Sequence, residues 1–334
     1  MNNIILEIKR LKTYFFTRHG VVKAVDGVNF GLGQGECLCL VGESGCGKTA
    51  TALSVLRLID SPPGRIVDGE ILYHGEDLLD CSDKRLRQIR GNRIAMIFQD
   101  PQSSLNPVFT VGDQVAEPIK LHIGLKRRSA MEKALHLMEQ AGIPRARERI
   151  QDYPHQFSGG MKQRVMIAAA LSCDPEILIA DEPTTALDTT IKAQILDIFQ
   201  ELKQKRNISI LFITHDLGTV AGIADRIVVM YGGRVAEAGT TLDIFDQPKH
   251  PYTLGLLNCL PSISARKDRL TPIPGMIPSL IEPPDGCIFS PRCERRMPIC
   301  NQERPKEVVV SGKHIVACHL YSQQDTPKED IVLK

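Results

Sequence analysis

No tryptophan occurs in this chain of 334 residues, and no apolar run approaches the roughly 20 residues that a membrane-crossing helix requires. The longest candidate, VMIAAALSC (165–173), is too short. Surplus charge is also lacking: Lys+Arg 41 against Asp+Glu 39 leaves +2. That balance argues against a general polyanion binder and so against nucleic acid as a main partner. The N-terminus, MNNIILEIKR, carries Glu7, Lys9 and Arg10 and has no extended apolar region, unlike a secretory signal. The expected setting is therefore cytoplasmic, where thiols stay reduced. Ten cysteines in that setting point to core filling, reactivity or metal rather than a disulfide framework.

What is present is a strand–turn–helix pattern early in the chain. GECLCLVGESGCGKTATALSVLRLI reads as an apolar strand through Cys37, Cys39 and Val41, a Gly-rich turn, and a helix after Lys48. RIAMIF (93–98), EILIAD (176–181) and ISILFIT (208–214) are short apolar runs of the kind buried in parallel sheets. Between the last two, residues 189–205 form an amphipathic helix with Ile191, Ile195, Ile198 and Leu202 on one face. Alternating strands and helices predict an α/β fold around a largely parallel sheet. Residues about 100–165 read as a helical insertion. After about 245 proline becomes frequent and periodicity disappears, which places a domain boundary there and divides the chain into 1–245 and 246–334. The last residues, QQDTPKEDIVLK, read as a solvated tail.

GESGCGKT (42–49) fits G-x-x-x-x-G-K-[ST] between a strand and a helix, the context that this pattern needs. Backbone N–H groups of Gly42, Ser44, Gly45, Cys46, Gly47 and Ala50, with the helix dipole, suit phosphate oxygens. Lys48 would pair with the β/γ oxygens and Thr49 would offer its hydroxyl oxygen to Mg²⁺. ILIADEP (177–183) supplies carboxylates at a strand end. Asp181 would reach the metal and Glu182 would polarise an attacking water. Cys46 lies next to this lysine and helix start, conditions that lower a thiol pKa and predict alkylation that ATP blocks.

This order of elements resembles the ATPase subunits of ABC transporters over residues 4–245. The resemblance implies a P-loop NTPase (RecA-like) core with an N-terminal antiparallel β portion, the helical insertion, and a small loop-rich Cys-containing C-terminal domain. It also implies roles for further residues. Phe15 in LKTYFF is similar to the aromatic that stacks on adenine, with Tyr14 as the alternative. Gln99 in FQDP resembles a metal ligand and mechanical link to the membrane subunit. FSGGM (157–161) resembles the signature motif, with Met161 in place of the usual Gln, so Ser158, Gly159 and Gly160 would face a partner's ATP. ALD (186–188) matches the D-loop, and His215 in FITHD the switch histidine, which would hold the γ-phosphate in register with Glu182.

FQDPQSSLNP, YPHQFSGG and HPYT (250–253) look like the peptide/nickel branch of ABC importers, and among them the D-type ATPase of dipeptide and oligopeptide permeases. That resemblance implies a peripheral protein on the cytoplasmic face of the cell membrane that hydrolyses ATP to power peptide import. Its partners would be a second, different ATPase chain, two membrane permeases and, indirectly, an extracytoplasmic binding protein. A nickel or metallophore importer and a soluble non-transport ABC ATPase are the alternatives. The tail holds Cys287, Cys293, Cys300 and Cys318 at C-x5-C-x6-C-x17-C. Four thiolates suit a [4Fe–4S] cluster or zinc, and the absence of short paired spacings favours the cluster, as some members of the branch carry. Such a staple would fold a segment that buries little apolar surface.

Overall fold

A computed structural model describes residues 3–185, 187–260 and 272–322. The chain forms two compact units, one from residues 1–80 with 214–334 and the other from residues 81–213. The stretch expected to be a solvated tail, 323–334, lies outside the described residues, as does Ala186 of the D-loop.

The first unit opens with the predicted antiparallel portion. Strands Ile4–Thr17 and Gly20–Gly33 form a long hairpin, and Gly64–Tyr73 pairs antiparallel with the free side of Ile4–Thr17. Helix Lys48–Val55 is tied to this sheet where the Thr13 and Ser54 hydroxyls share a buried hydrogen bond of 2.7 Å. Strand Cys37–Val41 lies parallel to Arg226–Tyr231. All five of its residues are buried, so both of its faces are covered. Cys37 and Cys39 are accordingly core residues. Arg226–Tyr231 turns through Gly232 and Gly233 into the antiparallel strand Arg234–Thr240.

The C-terminal segment belongs to this same unit. His314–Val316 pairs antiparallel with Arg234–Thr240, setting Glu237 against Val316 and Ala238 against Ile315, and Val308–Ser311 then pairs with His314–Val316. A buried carboxyl group lies at this register. Glu237 is fully buried, accepts from the backbone of Lys249 and His250, and meets His314 Nε2 at 2.7 Å. The Pro-rich tail is thus joined to the sheet by backbone ladder and by a buried carboxylate.

In the second unit three parallel strands stand in the order Ile94–Ile97, Ile177–Asp181, Ser209–Thr214. Helices Val111–Pro118, Arg127–Gln140 and Gly159–Ala170 fill the predicted helical stretch. Helix Thr189–Arg206 begins at Asp188, whose side chain caps it by accepting from the Ile191 N–H at 2.9 Å. Its buried face is centred on Ile195, Phe199 and Leu202. Ile191 and Ile198 are half-buried, and Phe199 meets Phe212 edge-on at 5.4 Å. The expected stripe is therefore rotated by about one residue, because an aromatic ring reaches the sheet where Ile198 does not.

Candidate functional site

The Gly-rich loop runs from the end of strand Cys37–Val41 into helix Lys48–Val55. Gly47 is the residue before the helix, at φ 101°, and no side chain caps that start. A Cβ there would lie 2.2 Å from the Ala24 carbonyl oxygen, and one on Gly42 would lie 2.2 Å from that of Met230. Only glycine fits either position. A helix start without a side-chain cap is the kind that a phosphate site uses.

Lys48 is buried, with Nζ donating to the Gly42 carbonyl at 2.8 Å and the Glu43 carbonyl at 3.0 Å. The ammonium is thus held across the first turn of the loop. Thr51, one helical turn on from Gly47, donates its hydroxyl to the Gly47 carbonyl at 2.9 Å. Cys46 is fully buried, 3.8 Å from Lys48 Nζ. Burial pushes this thiol pKa up, and the nearby ammonium only partly offsets it. The expected low-pKa, reactive Cys46 is therefore corrected: desolvation outweighs the lysine.

Of the aromatic candidates, Tyr14 is committed elsewhere. Its hydroxyl donates to Asp26 Oδ1 at 2.8 Å, and burial, with that bond, pushes its pKa up to about 12. Phe15 is half-buried on strand Ile4–Thr17, and Phe16 is exposed. His215 lies exposed just past strand Ser209–Thr214.

The second unit brings three predicted residues into one local arrangement. Asp181 ends its strand almost fully buried, and Glu182 follows at φ 45°, a left-handed conformation rare outside glycine. That turn presents the Glu182 carboxylate beside Gln99. Glu182 Oε2 accepts from Gln99 Nε2 at 3.1 Å and from the Thr185 hydroxyl at 2.8 Å. Thr185 was not singled out by motif, although its place three residues after Glu182 is the spacing of a side-chain turn bond. With Nε2 so engaged, Oε1 is the Gln99 atom that can ligate a cation. In the second unit the amide oxygen of Gln99 and the carboxylate of Asp181 are oxygen donors of the kind that suits Mg²⁺, and the Thr49 hydroxyl of the first unit is of the same kind.

The signature-like segment begins helix Gly159–Ala170. Ser158 precedes it, exposed, and its Oγ accepts from the Met161 N–H at a long 3.4 Å. Gly159 is exposed and Gly160 packs towards Ile191. Met161 takes part in the cap through its backbone, so the unusual side chain leaves that contact intact.

The four tail cysteines share one neighbourhood. Cys287 N–H donates to the Cys300 carbonyl at 2.8 Å. Burial, with the other three thiols adding to it, pushes Cys318 up to about 11. Burial raises Cys287 and Cys293 as well. All four are free thiols. Among the described residues, however, no group of three or more His, Cys, Asp or Glu is placed to hold a metal ion. The predicted [4Fe–4S] site is thus gathered without being in ligating geometry.

Comparison with known proteins agrees with this layout. Residues 25–185 match the ABC transporter family model, and residues 236–300 match the model described as oligopeptide/dipeptide transporter, C-terminal region. The chain is similar to the dipeptide transport ATP-binding protein DppD of Bacillus subtilis (strain 168), 49% identical over 320 residues that cover 96% of each chain. It is 47% identical to the oligopeptide transport ATP-binding protein AppD of the same organism, covering 96% of this chain and 98% of that one. Among solved structures, the dimeric bacterial ABC transporter cassette MJ0796 superposes with a TM-score of 0.64 at 26% identity, covering 71% of this chain and 98% of that one. The chain belongs to the ABC transporter ATP-binding family. Within it, it is an ATP-hydrolysing cassette that carries the oligopeptide/dipeptide type of C-terminal region. No helix among the described residues is long and apolar enough to cross a membrane.

Proposed function

We propose that this chain is the ATPase subunit that powers uptake of dipeptides or oligopeptides, bound peripherally to the cytoplasmic face of the cell membrane. The observation that carries the reading is the pairing of an ABC cassette with an oligopeptide/dipeptide C-terminal region in one chain. Full-length likeness to peptide-named relatives favours peptide over nickel or a metallophore.

In this reading the backbone of Gly42, Ser44, Gly45, Cys46, Gly47 and Ala50 cradles the phosphates, and Lys48 leaves its loop carbonyls for the β/γ oxygens. Phe15 meets the adenine. Thr49, Gln99 and Asp181 would hold Mg²⁺, which would supply charge neutralisation at the phosphates. Glu182 takes a proton from the attacking water, and His215 senses the γ-phosphate. Gln99 rests on the general base, so one side chain links the hydrolytic carboxylate to the helical region. Ser158, Gly159 and Gly160 complete the site of a second, different ATPase chain. Two permeases and, indirectly, an extracytoplasmic binding protein make up the rest of the assembly.

The test is reconstitution with the two membrane permeases and second ATPase of a peptide importer. Peptide-dependent ATP hydrolysis and uptake are expected. Hydrolysis stimulated by nickel complexes and by no peptide would overturn the substrate reading. The finer proposal for the tail, a [4Fe–4S] cluster on Cys287, Cys293, Cys300 and Cys318, rests on their spacing and shared neighbourhood. Anaerobic protein with about four irons and brown absorbance supports it, and iron-free protein of full stability removes it.

A further inference from the structure

The phosphate loop is fastened from outside at a residue that no motif reading singles out. Glu43 is the second residue of the loop 42–49. Arg292, in the segment between Cys287 and Cys293, reaches it with two parallel bonds: Nη1 to Oε2 at 2.7 Å and Nη2 to Oε1 at 3.0 Å. This bidentate pairing fixes direction as well as distance. Arg292 itself is 8% exposed and held on every side. Its Nε donates to the Pro274 carbonyl at 2.8 Å, Nη1 to the Tyr231 hydroxyl at 3.3 Å and Nη2 to the Ile273 carbonyl at 3.3 Å. A second fastening acts on the loop backbone, where the Glu43 N–H donates to the Tyr252 hydroxyl at 2.9 Å. Tyr252 is fully buried against Tyr231 and Phe289, at ring distances of 4.6 and 5.4 Å. The carbonyl of the same Glu43 accepts from Lys48 Nζ at 3.0 Å. Side chain, N–H and carbonyl of one residue are therefore all engaged, two of them by the C-terminal region and the third by the phosphate-binding lysine.

We propose that Arg292 and Tyr252 are positioning residues for nucleotide binding, acting through Glu43 to hold the first turn of the phosphate loop and its lysine ready for phosphate. The proposal rests on the reading of residues 42–49 as the ATP site. It gives the C-terminal region a part in every turnover. A loop that must be ordered by the nucleotide binds it more weakly than one already ordered. By linkage, nucleotide then stabilises the Arg292 segment to the same degree.

The test is ATP-analogue binding to the full chain, using a fluorescent nucleotide, with KM and kcat measured in the reconstituted transporter. Arg292→Met is expected to weaken binding roughly tenfold, the scale of a lost charged hydrogen bond, and to raise KM with kcat little changed. Glu43→Gln should do the same, and the double variant should be no worse than either single one. Tyr252→Phe keeps the ring and removes only the hydroxyl, so a smaller rise in KM is expected from a chain that folds normally. If Arg292→Met does not fold, Glu43→Gln and Tyr252→Phe carry the test. Unchanged affinity in both of those, or full additivity in the double variant, overturns the proposal. Lys48→Ala separates the two ideas: if it too binds nucleotide normally, the site reading has failed, whereas loss of binding there with no effect at Arg292 and Tyr252 sinks the brace alone.

Discussion

Two helices in this chain begin on glycine-rich turns, and they are built differently. The helix at Lys48 starts from Gly47 with no capping side chain, behind a loop whose residues are packed and strapped. The helix at Gly159 starts from an exposed Ser158 that caps it with a long bond, on a turn whose Gly159 is also exposed and whose Gly160 packs towards Ile191. Both offer positive helix ends to an anion. The contrast is that one start is held by side chains of its own unit, whereas the other is exposed. On the proposed reading, the first serves the chain's own ATP and the second a neighbour's.

The sharpest way to break that comparison is to remove groups from each side in turn. Lys48→Ala should abolish nucleotide binding by the full chain. Glu182→Gln should leave binding intact while hydrolysis falls by about 100-fold or more, the scale of a lost general base. Equal turnover in Glu182→Gln would remove that carboxylate from the chemistry. Next in size come the paired glycines. Gly47→Ala is expected to lose binding, since its Cβ would meet the Ala24 carbonyl at 2.2 Å at a φ of 101°. Gly159→Ala has nothing within 4 Å. It should leave single-chain affinity unchanged and slow only the assembled ATPase. Ser158→Ala refines the point: stability should fall by no more than about 0.5 kcal/mol, the low end for a cap, because a 3.4 Å bond is weak. Hydrolysis in the assembled transporter should nonetheless drop about tenfold, the effect of one lost charged hydrogen bond. Thermal melting and steady-state assays separate the two. The smallest effect belongs to Cys46, whose buried, raised-pKa thiol should react slowly with alkylating reagents, with or without ATP. Rapid labelling that ATP blocks would restore the discarded reading.

The preorganised side was more legible from sequence than its supports. Short apolar runs gave away the strands, because a strand buried on both faces leaves no polar position to confuse the pattern, as in Cys37–Val41. The glycines of 42–47 announced the loop, and at Gly42 and Gly47 a Cβ would strike backbone carbonyls. What failed was anything decided by distant packing. Cys46 looks reactive beside Lys48 in one dimension, but its burial pushes the thiol pKa up. Arg292 and Glu43 are 249 positions apart, and an arginine among prolines and cysteines carries no local mark of its partner. Likewise, His314 meets Glu237 only because the tail returns to the sheet. Strands of three and four residues, His314–Val316 and Val308–Ser311, are too short to show a period.

That returning hairpin bears on any attempt to shorten the protein. Without it, the strand Arg234–Thr240 would present unpaired N–H and C=O groups along Glu237 and Ala238, an open edge of the kind that recruits other chains. Glu237 would lose its histidine as well. A version cut back to the cassette alone should therefore clump rather than behave as a tidy minimal engine, and its insolubility would say nothing about catalysis.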